Sequence, residues 1–380
     1  MNEKAKNIGR FKRIGLKALG PSLSKMVLSW RLRKRIDKTP VALPSDTGRS
    51  SHFFIILPQD RTEMIFQLEN LFSILGKYKD SRITFLCPEA HASFVIGLKT
   101  AAVIKYAPQE LSIYNAQFNE IVKELSNRSF DICINLEKEY NIALLYFIGL
   151  SRAHIRIGWE NSGGTYPFLN IQIKSSKQTE SNLWERNAEL SKLLGAYSDS
   201  KVRWGVPKAA TEEVAALLSQ RSLKREPALI CIDIASLEND YGKQWCGELK
   251  EAFKAQRDGQ FYVFGGLEGE KHEFTNEKFA VMPPLSITRT AALIAYTDIV
   301  ITGRGALLGL AQISHCKIIP VLNKEQCSIY CKRNDRIVPA LFDKKPDSET
   351  IWQIVKNIKT LTTPGAAGRA ENQPKDKIKQ

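Results

Sequence analysis

TAALIAYTDIVITGRGALLGLA, residues 290–311, sets a short apolar strand between two helical runs. A helix-like run over 287–296 leads into the short β-branched run DIVIT at 298–302. The chain then turns at Gly303-Arg304-Gly305 and enters a second helix-like run over 305–313. A short strand between helical patterns, closed by a glycine turn, is the repeating piece of a parallel sheet with right-handed crossovers. The pattern continues outward. Strand-like runs occur at 228–233 (ALICID), 260–264 (QFYVF), 278–282 (KFAVM) and 317–321 (KIIPV), with helix-like stretches at 244–256 and 348–361. The first half alternates in the same way, with FFIIL (53–57), RITFLC (82–87), AVIK (102–105), DICIN (131–135) and AHIRI (153–157) separated by helix-like 62–76, 114–127 and 140–150.

The expected fold class is therefore α/β: two Rossmann-like domains with parallel sheets, preceded by a basic amphipathic N-terminal helical segment. The segment 158–225, less regular and marked by Gly163-Gly164, Pro167 and Pro207, reads as the closing elements of the first domain and the crossing to the second. The expected boundaries are 1–50 for the N-terminal segment and linker, 51–205 and 206–362 for the two domains, and 363–380 for a disordered tail rich in Pro, Gly, Ala, Lys and Gln. Two open parallel sheets in series are expected to form a cleft at the carboxyl ends of their strands, where such folds bind ligands.

Composition narrows the class. The 380 residues are 43% hydrophobic and 25% charged, as in a soluble globular protein. There is no run of about 18 apolar residues and no apolar signal-peptide core, which predicts a cytoplasmic protein. The seven cysteines are odd in number and mostly in apolar strand contexts, as expected of reduced, buried thiols. Cys327 and Cys331, near His315, have too sparse a spacing to be read as a metal site, and no metal is expected. Of the net charge of +15, residues 1–40 contribute +10, from 12 Lys/Arg against Glu3 and Asp37. Within them, Leu23, Met26, Val27 and Trp30 form one apolar stripe after Ser22, followed by Arg31-Leu32-Arg33-Lys34-Arg35. Such a helix suits an anionic membrane surface, contacted through residues 8–36, and predicts a peripheral location on the inner face of the plasma membrane. The bland reading is a helix packed on the protein's own surface. With no recognition motif elsewhere, a nucleic-acid partner is not expected.

Three strand-end loops of the second half carry possible chemistry. Thr302-Gly303-Arg304-Gly305-Ala306 leads straight into a helix, whose free amides and dipole favour a phosphate, with Arg304 adding a charged grip. A tight turn needing glycine for its backbone angles is the plainer alternative. Asp233 to Lys243 reads as a polar loop, with Lys243-Gln244-Trp245 opening a helix. Gly265-Gly266 ends the strand QFYVF. In the first half, Asp60, Arg61 and Glu63 follow the strand FFIIL, and carboxylates there can act as a general base or simply stabilise a helix N-terminus. Asn161 and Gly163, in the loop 159–164, are expected on the same acceptor side.

Over residues 52–325 the order of segments resembles the heptosyltransferase-like glycosyltransferases of family 9, which have the two-Rossmann GT-B fold. Thr62-Glu63-Met64-Ile65 stands where the family has Gly-Asp before an apolar helix. RIGWENSGGTYPFLNIQI (156–173) resembles its Arg-Ile-Gly segment. Lys243-Gln244-Trp245 matches Lys-x-Trp, FYVFGGLEGE (261–270) its Gly-Gly strand, and residues 290–311 its closing signature. The resemblance implies an inverting, metal-independent transfer of a sugar from a nucleotide-sugar donor to a lipid-linked glycan acceptor of the lipopolysaccharide or another cell-surface type, with no cofactor. Glu63 would deprotonate the acceptor, and Lys243 with the amides around Gly305 and Ala306 would hold the leaving diphosphate. Arg304 departs from the family's Asp, Gly305 from its Thr or Ser, Gly309 from its His, and Glu63 from its Asp. Two other readings stand beside this one. The first is a catalytically degenerate relative acting as a membrane-docked binding or scaffold subunit. The second is an unrelated two-domain α/β protein such as a nucleotide-sugar epimerase-like enzyme.

Overall fold

A computed structural model describes residues 41, 43, 51–95, 101–111, 115–139, 141–160, 168–173, 182–196, 206–221, 223, 228–254, 260–264, 279–283, 285–314, 316–332, 336–343 and 345–362. The basic segment 8–36, Asn161, Gly163, Gly265, Gly266, His315 and the tail 363–380 lie outside these residues. The chain falls into two compact units that divide between Gly205 and Val206.

In the N-terminal unit the strands are β1 (His52–Ile56), β2 (Arg82–Pro88), β3 (Ala101–Tyr106), β4 (Ile132–Asn135), β5 (Ile155–Trp159) and β6 (Ile171–Ile173). All pair in parallel, in the order β3-β2-β1-β4-β5-β6. The helices are α1 (Arg61–Phe66), α2 (Leu68–Lys77), α3 (Glu89–Val95), α4 (Ala116–Ser126), α5 (Ile142–Leu150) and α6 (Leu183–Leu193). Phe53 to Leu57 are buried throughout, which is why this strand reads as a continuous apolar run. Helix α5, IALLYFIGL, is apolar nearly all round and correspondingly buried. It starts at Asn141, whose Oδ1 accepts the amides of Ala143 (2.9 Å) and Leu144 (3.3 Å).

The C-terminal unit repeats the plan. After α7 (Lys208–Gln220) come β7 (Leu229–Asp233), α8 (Ile234–Tyr241), α9 (Lys243–Lys254), β8 (Gln260–Phe264), β9 (Phe279–Val281), α10 (Ile287–Tyr296), β10 (Ile299–Thr302), α11 (Ala306–Ile313), β11 (Lys317–Asn323), α12 (Lys324–Tyr330), β12 (Ala340–Phe342) and α13 (Ser348–Thr362). The strand order is β12-β11-β10-β7-β8-β9. Read from its own first strand, each sheet has the doubly wound order 3-2-1-4-5-6, with reversals between β1 and β4 and between β7 and β10. Ligands bind outside the carboxyl ends of strands at such a reversal. The two units also share a wiring detail at the opposite end of these strands. Asp131 ahead of β4 accepts the amides of Ser51 (2.7 Å) and His52 (2.9 Å), and Asp298 ahead of β10 accepts the amide of Leu229 (2.8 Å).

Three local expectations change. The stretch after Asp233 is a helix rather than a polar loop: Asp233 caps it by accepting the Ser236 amide (3.3 Å), and Ile234 and Leu237 bury its inner face. The single helix expected over 62–76 is two, broken at Gln67, whose backbone ends α1 while its fully buried side chain is spent on polar contacts. The edge strands β6 and β12 are three residues each, too short to show a period. Among the described residues no helix is long and apolar enough to cross a membrane. All seven cysteines are free, and only Cys327 is less than fully buried.

Candidate functional site

In the C-terminal unit the sequence brings β7, α8 and the β10–α11 turn together at the sheet reversal. Thr302 is buried at the end of β10, and its hydroxyl donates to Asp233 Oδ2 (2.8 Å) at the end of β7. The Ser236 hydroxyl donates to the Asp233 carbonyl (3.1 Å) and accepts the Gly303 amide (3.0 Å). Gly303 packs so closely on α8 that a Cβ would come within 3.2 Å of Asp240 Oδ2 and 3.3 Å of Ser236 Oγ. Any larger residue there would press on these two side chains.

Arg304 Nε donates to Asp240 Oδ1 at 3.0 Å. The arginine side chain stays 53% exposed, while the aspartate is only 10% exposed. Gly305, at φ 157°, precedes α11 and, lacking a side chain, makes no side-chain cap to the first-turn amides. Arg304 thus stands at the expected anion site with its charge partly offset by Asp240. The uncapped helix start carries the positive end of the dipole.

Lys243 opens α9. Gly242 (φ 87°) turns the chain from α8 into α9, and Lys243 follows three residues after Asp240. The first turn of α9 contains no acid, Lys243 is exposed, and among the described residues it forms no ion pair. A cation at a helix N-terminus opposes the dipole. An anion between them would convert that cost into an attraction.

The reversal in the N-terminal unit lies between β1 and β4. Asp60 caps α1 by accepting the Glu63 amide (2.7 Å), so this carboxylate already has a structural role. Arg61 is exposed. Glu63 forms an ion pair with Lys138 of the β4–α5 loop and accepts the Gln67 side-chain amide (3.1 Å), both at Oε1. Lys138 also donates to Asn187 Oδ1 (3.1 Å) and lies over the Trp159 ring, 5.0 Å from its centre. Gln67 reaches Asn187 Oδ1 (3.2 Å), and Asn187 Nδ2 donates to the Phe66 carbonyl (3.1 Å). Asn70 donates to Gln67 Oε1 (3.2 Å), and the Ser191 hydroxyl reaches Asn70 Oδ1 (3.0 Å). Gln67, Asn70, Asn187 and Ser191 are all buried, so α1, α2 and α6 share one polar network whose open end is Glu63 and Lys138.

Two further residues at this reversal give little signal in the sequence. Glu137, buried after β4, accepts the amides of Gln59 and Glu139 (both 2.8 Å). Burial still pushes its carboxyl above the ordinary range. His91 is buried and bonds the Pro58 carbonyl through Nδ1 (3.0 Å), and burial lowers its pKa. Because a carbonyl only accepts, Nδ1 carries the proton in the neutral ring. Burial also lowers the Lys138 ammonium, against the raising effect of Glu63.

A family model described as glycosyltransferase family 9 (heptosyltransferase) matches residues 118–312, and a family of unknown function (DUF6913) matches residues 25–195. No curated protein matches the chain. Among solved structures, a family 9 glycosyl transferase from Veillonella parvula is 15% identical and covers 82% of this chain and 97% of its own, with a TM-score of 0.66. The E. coli ADP-heptose lipopolysaccharide heptosyltransferase II is 14% identical, covering 82% and 98%, with a TM-score of 0.62. The E. coli heptosyltransferase WaaC with ADP-2-deoxy-2-fluoro heptose is 14% identical, covering 81% and 99%, at 0.58. At these identities the likeness is one of fold, the GT-B-like pair of Rossmann units.

Proposed function

Because the chain belongs to glycosyltransferase family 9, and so is a nucleotide-sugar glycosyltransferase, we propose that it transfers a sugar with inversion, and without a metal, to a lipopolysaccharide-type or other cell-surface glycan acceptor on the inner face of the plasma membrane. The observation that carries this reading is the switch point of the C-terminal unit. A glycine turn is drawn tight onto α8, a helix start is left uncapped, and Lys243 has no ion-pair partner among the described residues. The donor side comprises Lys243, Thr302, Gly303, Arg304, Gly305 and Ala306, with Gly265 and Gly266 from the adjoining strand end. The acceptor side is Asp60, Arg61 and Glu63, with Asn161 and Gly163.

In this scheme the acceptor hydroxyl gives its proton to the Glu63 carboxylate. Its oxygen attacks the anomeric carbon as the bond from that carbon to the phosphate oxygen breaks. Lys243 and the α11 amides meet the charge developing on the departing diphosphate. The E. coli relative solved with an ADP-heptose analogue makes ADP-sugars the first donors to try. The basic stripe over residues 8–36 supplies the membrane contact.

A second reading, a degenerate membrane-docked binding or scaffold subunit, is favoured by Glu63 already being engaged at Oε1 and by Gly309 standing where the family has His. Transfer assays with ADP-, GDP- and UDP-sugars on lipid-linked acceptors separate the two. Turnover that Glu63→Gln abolishes supports the enzyme. Nucleotide binding without turnover on any acceptor supports the subunit. Unchanged liposome binding after removal of residues 1–40 would overturn the membrane assignment.

A further inference from the structure

We propose that Lys138 is a positioning residue for Glu63, holding its carboxylate in place at the sheet reversal; this rests on the reading of Glu63 as the base. The two residues come from the elements that follow β1 and β4, the strands flanking the reversal, so their ion pair spans the point where a doubly wound sheet binds its ligand. Each side chain is 21% exposed, sheltered enough to feel the other's charge and open enough to meet a substrate. The pair is not left to swing. Asn187 binds the ammonium, Gln67 binds both Asn187 and Glu63, and the Trp159 ring lies beneath the lysine. The start of α1 and the β4–α5 loop are thereby tied together by side chains that are themselves buried.

The charged groups facing the lysine are Glu63, Glu137 and Arg186, and Asp60 caps the helix that carries Glu63. Burial weakens the ammonium's hold on its own proton, and the neighbouring Glu63 charge works the other way. An ion pair that served only the fold would cost stability when cut, and would leave the kcat of the folded protein where it was.

The test uses the full chain with Lys138→Gln, which keeps a donor and removes the charge, and Lys138→Arg, which keeps both. The readouts are sugar transfer from the nucleotide-sugar, resolved into kcat and donor KM, and urea unfolding of each variant. For Lys138→Gln the expected result is a folded protein with a kcat about tenfold lower and a donor KM within about twofold. Lys138→Arg restores most of kcat. Wild-type turnover that Lys138→Gln leaves unchanged overturns this proposal alone, as does a kcat that Lys138→Arg fails to recover. A wild type with no turnover on any acceptor overturns the enzymatic reading and this proposal with it.

Discussion

Asn187→Leu is the sharpest perturbation of the N-terminal unit. Asn187 is buried, and leucine approximates its shape while removing its polar atoms. Three groups lose a partner: the Phe66 carbonyl, one Gln67 amide hydrogen and one Lys138 ammonium hydrogen. The Asn70 contact to the Asn187 backbone carbonyl survives. The lysine is exposed enough to recruit water, so the cost falls mainly on the two buried groups. Losing a buried hydrogen bond costs about 1–3 kcal/mol, and the gain from the apolar side chain offsets little of it, so the expected loss is about 3 kcal/mol. That is a large fraction of a stability of about 5–15 kcal/mol. The assay is urea unfolding followed by tryptophan fluorescence, with Trp245→Phe and Trp352→Phe in both proteins to weight the signal toward the N-terminal unit. A loss below about 1 kcal/mol at unchanged slope would refute the claim that this network carries stability. An intact fold combined with lower turnover would tie the network to the placement of Glu63.

Other consequences can be checked directly. Gly158→Ala puts a Cβ 2.9 Å from Asn135 Cβ and from Leu169 Cδ1, so it should destabilise the N-terminal unit by about 1–3 kcal/mol, read by the same urea assay. Lys243→Ala should weaken sugar-nucleotide binding about tenfold by calorimetry, equivalent to about 1.4 kcal/mol, and leave Tm unchanged because no ion pair is lost among the described residues. Burial lowers the pKa of His91, and of His52 likewise. Below the ordinary histidine value of about 6.5 the unfolded chain therefore takes up protons that the folded chain refuses, and stability falls as pH falls through the folded pKa values. His91→Gln should flatten that decline in Tm between about pH 6.5 and pH 5.

The sheets were legible because their strands are buried on both faces and read as unbroken apolar runs, FFII and IVIT among them. The glycine turn after Thr302 was legible because glycine marks a close approach of backbone, here to Asp240 and Ser236. What the sequence concealed is the tertiary partnering. Nothing in NLEKE marks Lys138 as the partner of Glu63, because a residue 75 positions away becomes a neighbour only when β4 inserts beside β1. Arg304 was legible as a cation in the glycine turn after β10. Its tie to Asp240 was hidden because the stretch 234–241 looks polar until Ile234 and Leu237 are seen to bury one face of a helix. Gln67, Asn70 and Asn187 look like solvated helix polars. Their burial follows from α1, α2 and α6 packing together, which no local pattern announces.

The central claim is that the switch point of the C-terminal unit holds the diphosphate of a sugar nucleotide. Hydrogen exchange of the full chain, with and without saturating ADP-, GDP- and UDP-sugars, tests it most directly. Slowed exchange is expected in peptides covering 302–309 and 242–246 with at least one of these donors, lost in Lys243→Ala at the same ligand concentration. Protection confined to other parts of the chain, or absent with every donor, would contradict it.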